Sequence, residues 1–251
     1  MRIAAVILWV TWSALGAALP AAELPRVPVA ACPENEQPGA GRMQAAQSMP
    51  VDVSPAIAAQ LAYYRAEGTP GVYAPQRWSC HGWSGSNGSI LLVTPKALEP
   101  PYFPLPSITG PAVMIQSSPR ETSGRFHVAI VAAQLFPLVA ADFITQVRQE
   151  HLIPDNSFSA EHDADDELQY LSDRLVQYST PANHSGLGTQ GMLEVSNLPI
   201  RGLSILSLED STDALTEVRI RLAPALSPVA AAVLQLETAC IQRRAGCRSV
   251  Q

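Results

Sequence analysis

Charged side chains are scarce in this sequence. They make up 15% of its 251 residues, against about 25% in typical soluble domains, and the formal net charge is −6. Nucleic-acid binding needs a basic patch, which this composition does not offer, so we predict no nucleic-acid partner. The sequence also lacks a Lys/Arg-rich amphipathic stretch of the kind that binds a membrane surface.

Metal-binding signatures are missing as well. None of the cysteines forms a C-x-x-C pair, which argues against a zinc site. The acidic run 161–167 places Asp163, Asp165 and Glu167 at alternate positions, where their oxygens could bind Ca²⁺. However, the run lacks the Gly that turns a calcium loop and misses the EF-hand spacing, so the pattern favours a solvated acidic loop. We predict no metal and no cofactor, with these three residues as the remaining candidates.

The N-terminus has the pattern of a signal peptide. Arg2 precedes an uncharged apolar stretch, Ile3–Leu19, and Ala18 and Ala22 offer cleavage sites. We predict a signal peptide over residues 1–22, a periplasmic or secreted location, and no stable membrane span after cleavage. The alternative is a lipoprotein anchored through Cys32, because Val-Ala-Ala precedes that cysteine. A lipoprotein box should directly follow the apolar stretch, and here charged residues and prolines intervene.

Four cysteines, an even number in an exported chain, predict disulfides. They allow three pairings. The short loop between Cys240 and Cys247 favours a local bond, which leaves Cys32 to pair with Cys80 and to fasten the N-terminal segment to the middle of the chain.

Strand and helix patterns predict a single α+β domain with a mainly antiparallel sheet and three to four helices over residues 54–251, preceded by a flexible N-terminal arm over residues 23–53. The predicted strands are Ile90–Val93 (placed at the centre of the sheet), Ala112–Gln116, Phe126–Val131, Arg174–Ser179, Met192–Val195, and a hairpin of Ile200–Leu208 with Thr216–Leu222. The predicted helices begin at Ser54 (with Ile57, Leu61 and Tyr64 on one face), at about Leu138 and at Ser227.

The stretch from Gly71 to Pro95 is the most distinctive part of the chain. Trp78 and Trp83 flank Cys80 there, and a Gly/Ser-rich turn leads into the Ile90–Val93 strand. One interpretation is a packed loop held by a disulfide at Cys80. The other is a catalytic loop, in which Ser84 or Ser86 is a nucleophile and His81 a base, although the Gly needed two places after Ser84 in a nucleophile elbow is missing.

The same region resembles a family of uncharacterised exported bacterial proteins. The resemblance lies in Ala74-Pro75, Trp78-x-Cys80, Gly85-Ser-x-Gly-Ser89 and Leu91-x-Val93-x-Pro95, and further on in Thr180-Pro-Ala182 and Gly186-Leu-Gly-Thr189. The resemblance would span residues 54–240, and it implies export but no known activity.

Two functions follow from these patterns. We predict a non-catalytic exported protein that binds another protein or a component of the cell envelope, because no complete catalytic constellation is present. The alternative is an exported serine hydrolase that uses Ser84 or Ser86.

Overall fold

In the described part of the chain, mainly antiparallel strand pairing builds two β-sheets, and four α-helices pack around them. A computed structural model describes residues 23–34, 42–100, 104–159, 163–209 and 213–243. The predicted signal peptide (1–22) and Cys247 lie outside these residues. The α+β class predicted from the sequence is confirmed.

The small sheet contains four strands in the order β2-β1-β3-β4. Its strands are β1 (Arg26–Ala31), β2 (Arg42–Pro50), β3 (Leu61–Arg65) and β4 (Val72–Pro75). Strand β1 pairs in parallel with β3, and the other pairs are antiparallel. The residues 23–53 predicted as a flexible arm therefore hold β1 and β2. The sequence alone did not reveal β1, because the strand that pairs with it in parallel lies far along the chain. Val29 is opposite Tyr63, and Val27 and Val29 are both buried.

The large sheet is antiparallel throughout and has seven strands in the order β5-β6-β7-β11-β10-β9-β8. They are β5 (Ser79–Gly85), β6 (Gly88–Thr94), β7 (Ala112–Ser118), β8 (Glu167–Ser172), β9 (Leu175–Thr180), β10 (Ile200–Leu206) and β11 (Leu215–Arg221). The strand predicted to be central, β6, is second from one edge, and β11 occupies the middle. That prediction was wrong because Ser79–Gly85, interpreted as a loop, forms the edge strand β5 beside it.

The described helices are α1 (Pro55–Ala58), α2 (Arg125–Leu135), α3 (Ala141–Arg148) and α4 (Ser227–Arg243). Three of these four, α2, α3 and α4, pack on the faces of the large sheet, and α1 packs against α4 and the small-sheet strand β3. We call the face packed against α2 and α3 the front face, where Val176, Leu206 and Leu215 join their core. The back face packs against the small sheet and α4 through a second core.

Several predicted elements are confirmed at these positions. Strands β7 and β9, the β10–β11 hairpin, and helices α3 and α4 lie where the sequence predicts them. The strand predicted at Met192–Val195 was wrong, since its one ladder contact is an isolated bridge between Leu193 and Ile108.

Two assignments of element type were also wrong. The helix that begins after Ser54 ends at Ala58, and Leu61 and Tyr64 belong to β3, which is buried on both faces and therefore shows no strand alternation. Phe126–Val131 lies in α2. This helix is rich in small and β-branched apolar residues, and six of its residues are buried, so its pattern resembles that of a buried strand.

Candidate functional site

A disulfide between Cys32 and Cys80 joins the two sheets. Cys32 directly follows β1, and Cys80 lies in β5, with 5.4 Å between the two Cα atoms. The next two residues continue along the edge of β5, where the Gly82 N–H donates to the carbonyl of Pro33 at 2.8 Å. The predicted pairing is confirmed, and it gives Cys80 a structural role. Cys240 is also disulfide-bonded.

The three residues of the hydrolase hypothesis do not form a catalytic pair along β5. His81 is buried on the front face with its ring centroid 4.5 Å from that of Trp83. Ser84 is three positions further along the same strand, so its side chain points to the opposite face. Ser86 lies in the turn after β5, and its hydroxyl accepts a hydrogen bond from Ser123 Oγ at 3.2 Å. The strand geometry therefore separates the predicted base from Ser84.

Residues of the acidic run make hydrogen bonds to the loop that follows β9 and to β9 itself. Asp163 accepts from Ser185 Oγ at 2.8 Å, and Asp165 Oδ2 lies 2.7 Å from Nδ1 of His184. Glu167 Oε2 accepts from Ser179 Oγ at 3.3 Å. Because the three predicted oxygen donors face different partners, they do not converge on one point, and no group of three possible metal ligands exists among the described residues.

Asp166, which lies between the candidates Asp165 and Glu167, stabilises the fold from a buried position. It accepts hydrogen bonds from the Thr180 hydroxyl and from the Leu187 N–H, the latter at 2.8 Å. A Cβ on Gly186 would lie 2.4 Å from Asp166 Oδ1, so only glycine allows this approach. The acidic run is thus partly a buried anchor rather than an entirely solvated loop.

The middle strand β11 carries three buried charged residues in a row on the front face. Glu217, Arg219 and Arg221 are 3%, 1% and 0% exposed. Arg219 donates to Glu217 Oε1 at 2.8 Å and to the carbonyl of Leu187 at 3.2 Å. The alternating pattern of β11 did not predict that these residues are buried, because such a strand is normally exposed to water on its polar face. The sequence does contain one indication of an ion pair, since Glu217 precedes Arg219 by two residues and this spacing places opposite charges on the same face.

Arg221 connects β11 to the loops at one end of the large sheet. Its guanidinium donates to the backbone carbonyls of Gly110 (2.8 Å), Glu194 (2.6 Å) and Ile108. Burial lowers the pKa of Arg221, but an arginine remains charged in proteins. One buried side chain therefore holds two loops that the sequence separates by more than 80 residues.

His127 extends the charged row to the surface. It lies in the first turn of α2, its side chain is 31% exposed, and its Nε2 is 2.6 Å from Oε2 of Glu217. Although burial by itself raises the pKa of Glu217, the charge of Arg219 and the hydrogen bond from His127 lower it to about 2. Glu217 is therefore ionised at neutral pH, and the His127 Nε2 carries the proton of this hydrogen bond. In the neutral imidazole, Nδ1 is then the nitrogen without a proton, the arrangement that a catalytic triad needs in its base.

The polar centre of the front face also contains an unsatisfied hydroxyl group. Ser204 is directly opposite Glu217 in the β10–β11 register, and its Oγ has no hydrogen-bond partner among the described residues. Tyr178, whose ring lies over Gly202, places its hydroxyl beside Arg219, and burial raises the pKa of this tyrosine. A serine within reach of His127 would complete a triad, but no hydrogen bond joins His127 to a serine in the described part of the chain.

A groove lies on the back face between α4 and strands β9 and β10. Its volume is about 370 Å³, within the range of small-ligand sites. Gln177 and Arg201 form its floor, and one face of α4 forms its wall, with Ala231, Leu234, Gln235, Thr238 and Ala239. Gln177 Nε2 donates to Thr238 Oγ1 at 2.9 Å. The groove combines a small apolar wall with amide and guanidinium groups.

Among the described helices, none is long and apolar enough to cross a membrane. The chain was also compared with known proteins. It matches no protein-family model, no curated protein and no solved structure. The contacts, burial and charges of the described residues are therefore the basis on which a function can be proposed.

Proposed function

We propose that this chain is an exported, non-catalytic binding protein whose ligand contacts the groove between α4 and the β9–β10 strands. The groove is the observation that carries the proposal, because it sets an apolar wall on α4 beside the amide of Gln177 and the guanidinium of Arg201. Its apolar wall fits a hydrophobic side chain, and the exposed Arg201 fits a carboxylate or phosphate. A protein segment or an envelope component would offer both groups.

Export is supported by the basic and apolar pattern of residues 1–22 and by the Cys32–Cys80 bond, since disulfides persist in oxidising compartments. Lipidation would consume the sulfur of Cys32, so a lipid anchor there and this disulfide exclude each other. Mass spectrometry of the exported protein should find an N-terminus just after Ala18 or Ala22. An acylated Cys32 at the N-terminus would overturn this part of the proposal.

Site-directed photocrosslinking tests the groove. A photoreactive residue at Gln235, in the groove, should give a discrete adduct in cells that export the chain, whereas one at the exposed Asp142 of α3 should not. Replacing Arg201 by Glu should abolish the Gln235 adduct, because it reverses the charge of the groove floor. The same adduct from both positions, or none from Gln235, would overturn the assignment.

The hydrolase alternative gains one specific observation, the His127–Glu217 pair. A serine-directed activity probe on the purified protein would detect a nucleophile in reach of this base. Labelling that is lost in Ser86→Ala, and also in His127→Gln, would favour the hydrolase, whereas Ser84 points to the face opposite His127 and serves as the control through Ser84→Ala. We expect no labelling of the unmodified protein.

A further inference from the structure

Strand β8 is the exposed edge of the large sheet. Among the described residues, no strand or bridge pairs with its outer side. The opposite edge, β5, is covered by the segment after Cys32, which contacts Gly82. The small-sheet edge β4 is covered by α4, because Glu237 accepts the N–H of Tyr73. Of these three edges, β8 is the one for which the described residues offer no covering contact; β2 is the remaining edge of the small sheet.

The residues of β8 are unusual for an edge that faces water. The strand reads Glu-Leu-Gln-Tyr-Leu-Ser, and Tyr170 and Leu171 are 53% and 38% exposed. Monomeric proteins normally protect such an edge with Lys, Pro, several charges or a bulge. In β8 the pairing shifts between Tyr170 and Ser172, after the segment Glu167–Tyr170, and Glu167 at the end is the one charged residue of the strand.

We propose that β8 pairs antiparallel with β8 of a second copy of this chain. A two-fold axis perpendicular to the sheet keeps the front face of one copy beside the front face of the other. Because side chains alternate, an even-numbered residue must then lie opposite an even-numbered one. The register with Gln169 on the axis places Leu168 of each copy opposite Tyr170 of the other.

This register makes the strand complementary to itself, which a closed dimer requires. The two Leu–Tyr contacts are aromatic–aliphatic pairs of the kind that stabilises neighbouring strands. They cover the exposed ring of Tyr170, and Glu167 remains away from its symmetry mate. A peptide from another protein would be the competing occupant, but nothing in β8 selects one, whereas the strand itself supplies the matching residues.

Dimerisation would join the two large sheets into one continuous sheet. Since the axis is perpendicular to the sheet, the two α4 grooves would open on the same side, separated by the paired β8 and β9 strands. The dimer stands independently of the groove's proposed function. Crosslinking at Gln235 tests the groove, and the association state tests β8, so the two proposals can fail separately.

Sedimentation velocity of the purified protein over a concentration series tests the dimer. We expect a concentration-dependent dimer whose dissociation constant rises about tenfold or more in Tyr170→Asp, because the symmetry introduces the change at two contacts. Leu152→Asp, at another exposed apolar residue distant in sequence from β8, is the matched control and should leave the constant unchanged. A monomer at every concentration, or a dimer unaffected by Tyr170→Asp, would overturn the proposal.

Cysteine crosslinking tests the register. Two Gln169 residues on the axis would have Cα atoms about 4.5–5.5 Å apart, within the range of a disulfide. Gln169→Cys should therefore form a covalent dimer under mild oxidation, while Glu167→Cys should not. Crosslinking through position 167 in preference to position 169 would contradict this register.

Discussion

The buried carboxyl of Glu237 should make the stability of this protein depend on pH. Glu237 lies in α4, is 2% exposed, and accepts the backbone N–H of Tyr73 at 2.7 Å. Burial raises its pKa from 4.5 to about 8, and the hydrogen bond from Tyr73 opposes that change only in part. The carboxyl is therefore protonated in the folded protein at neutral pH.

The sign of the effect follows from the two pKa values. The folded state binds the proton more tightly than the unfolded state, so ionisation of Glu237 favours unfolding. The difference between a pKa of 4.5 in the unfolded state and one of about 8 in the folded state corresponds to a free energy of about 5 kcal/mol. The free energy of unfolding should fall by up to this amount as the pH rises from 4.5 through 8. Below pH 4.5, Glu237 is protonated in both states and adds no pH dependence.

Replacing Glu237 by Gln isolates this contribution. The amide oxygen can still accept the Tyr73 N–H, but the side chain cannot ionise. We expect the variant to be several kcal/mol more stable than the unmodified protein at pH 9 and close to it at pH 5. Urea unfolding followed by tryptophan fluorescence at several pH values measures the difference, and Glu99→Gln at an exposed position is the control. A difference that does not change with pH would refute the reasoning.

Three further predictions concern the buried row and the disulfide. Glu217→Gln should cost about 3–5 kcal/mol, because it leaves Arg219 buried without its partner. The unmodified protein should lose the Glu217 contribution as the pH falls from 4.5 through about 2, since ionisation of Glu217 stabilises the fold, and the variant should not. Arg221→Met should expose the amides of Ile108 and Glu194 to hydrogen exchange, because their carbonyls lose their donor. Replacing Cys32 and Cys80 together by Ser should lower the free energy of unfolding by about 4 kcal/mol, as expected for a loop of this length.

Each of these predictions has an outcome that contradicts it. Equal acid sensitivity of Glu217→Gln and the unmodified protein would show that Glu217 is not ionised in the fold. Unchanged exchange at Ile108 in Arg221→Met would mean that the Ile108–Leu193 bridge holds the loops without the guanidinium. A double serine variant with unchanged stability would show that strand pairing alone joins the two sheets.

The sequence by itself determined the elements whose local pattern matches their burial. Strand β9 and the β10–β11 hairpin alternate and end at turn residues, and α4 begins at Ser227 with a clear apolar face. These elements depend on neighbours within about ten residues, so they can be read along the chain. The Cys32–Cys80 pair, 48 residues apart, was predicted by elimination, because an even number of cysteines indicated disulfides and the short 240–247 loop favoured a local bond.

Tertiary structure decided the type of the other elements. An element that is buried on both sides is apolar on both sides, so it lacks the alternation of polar and apolar residues from which strands and helices are predicted. Leu61 and Tyr64 show helical spacing but lie in a strand buried on both faces, and α2 is apolar nearly all round. The separation of His81 from Ser84 required knowing that Ser79–Gly85 is a strand. The pairing of His127 with Glu217 joins residues 90 positions apart. It exists only because α2 packs across the middle strand of the large sheet, and no local pattern encodes that contact.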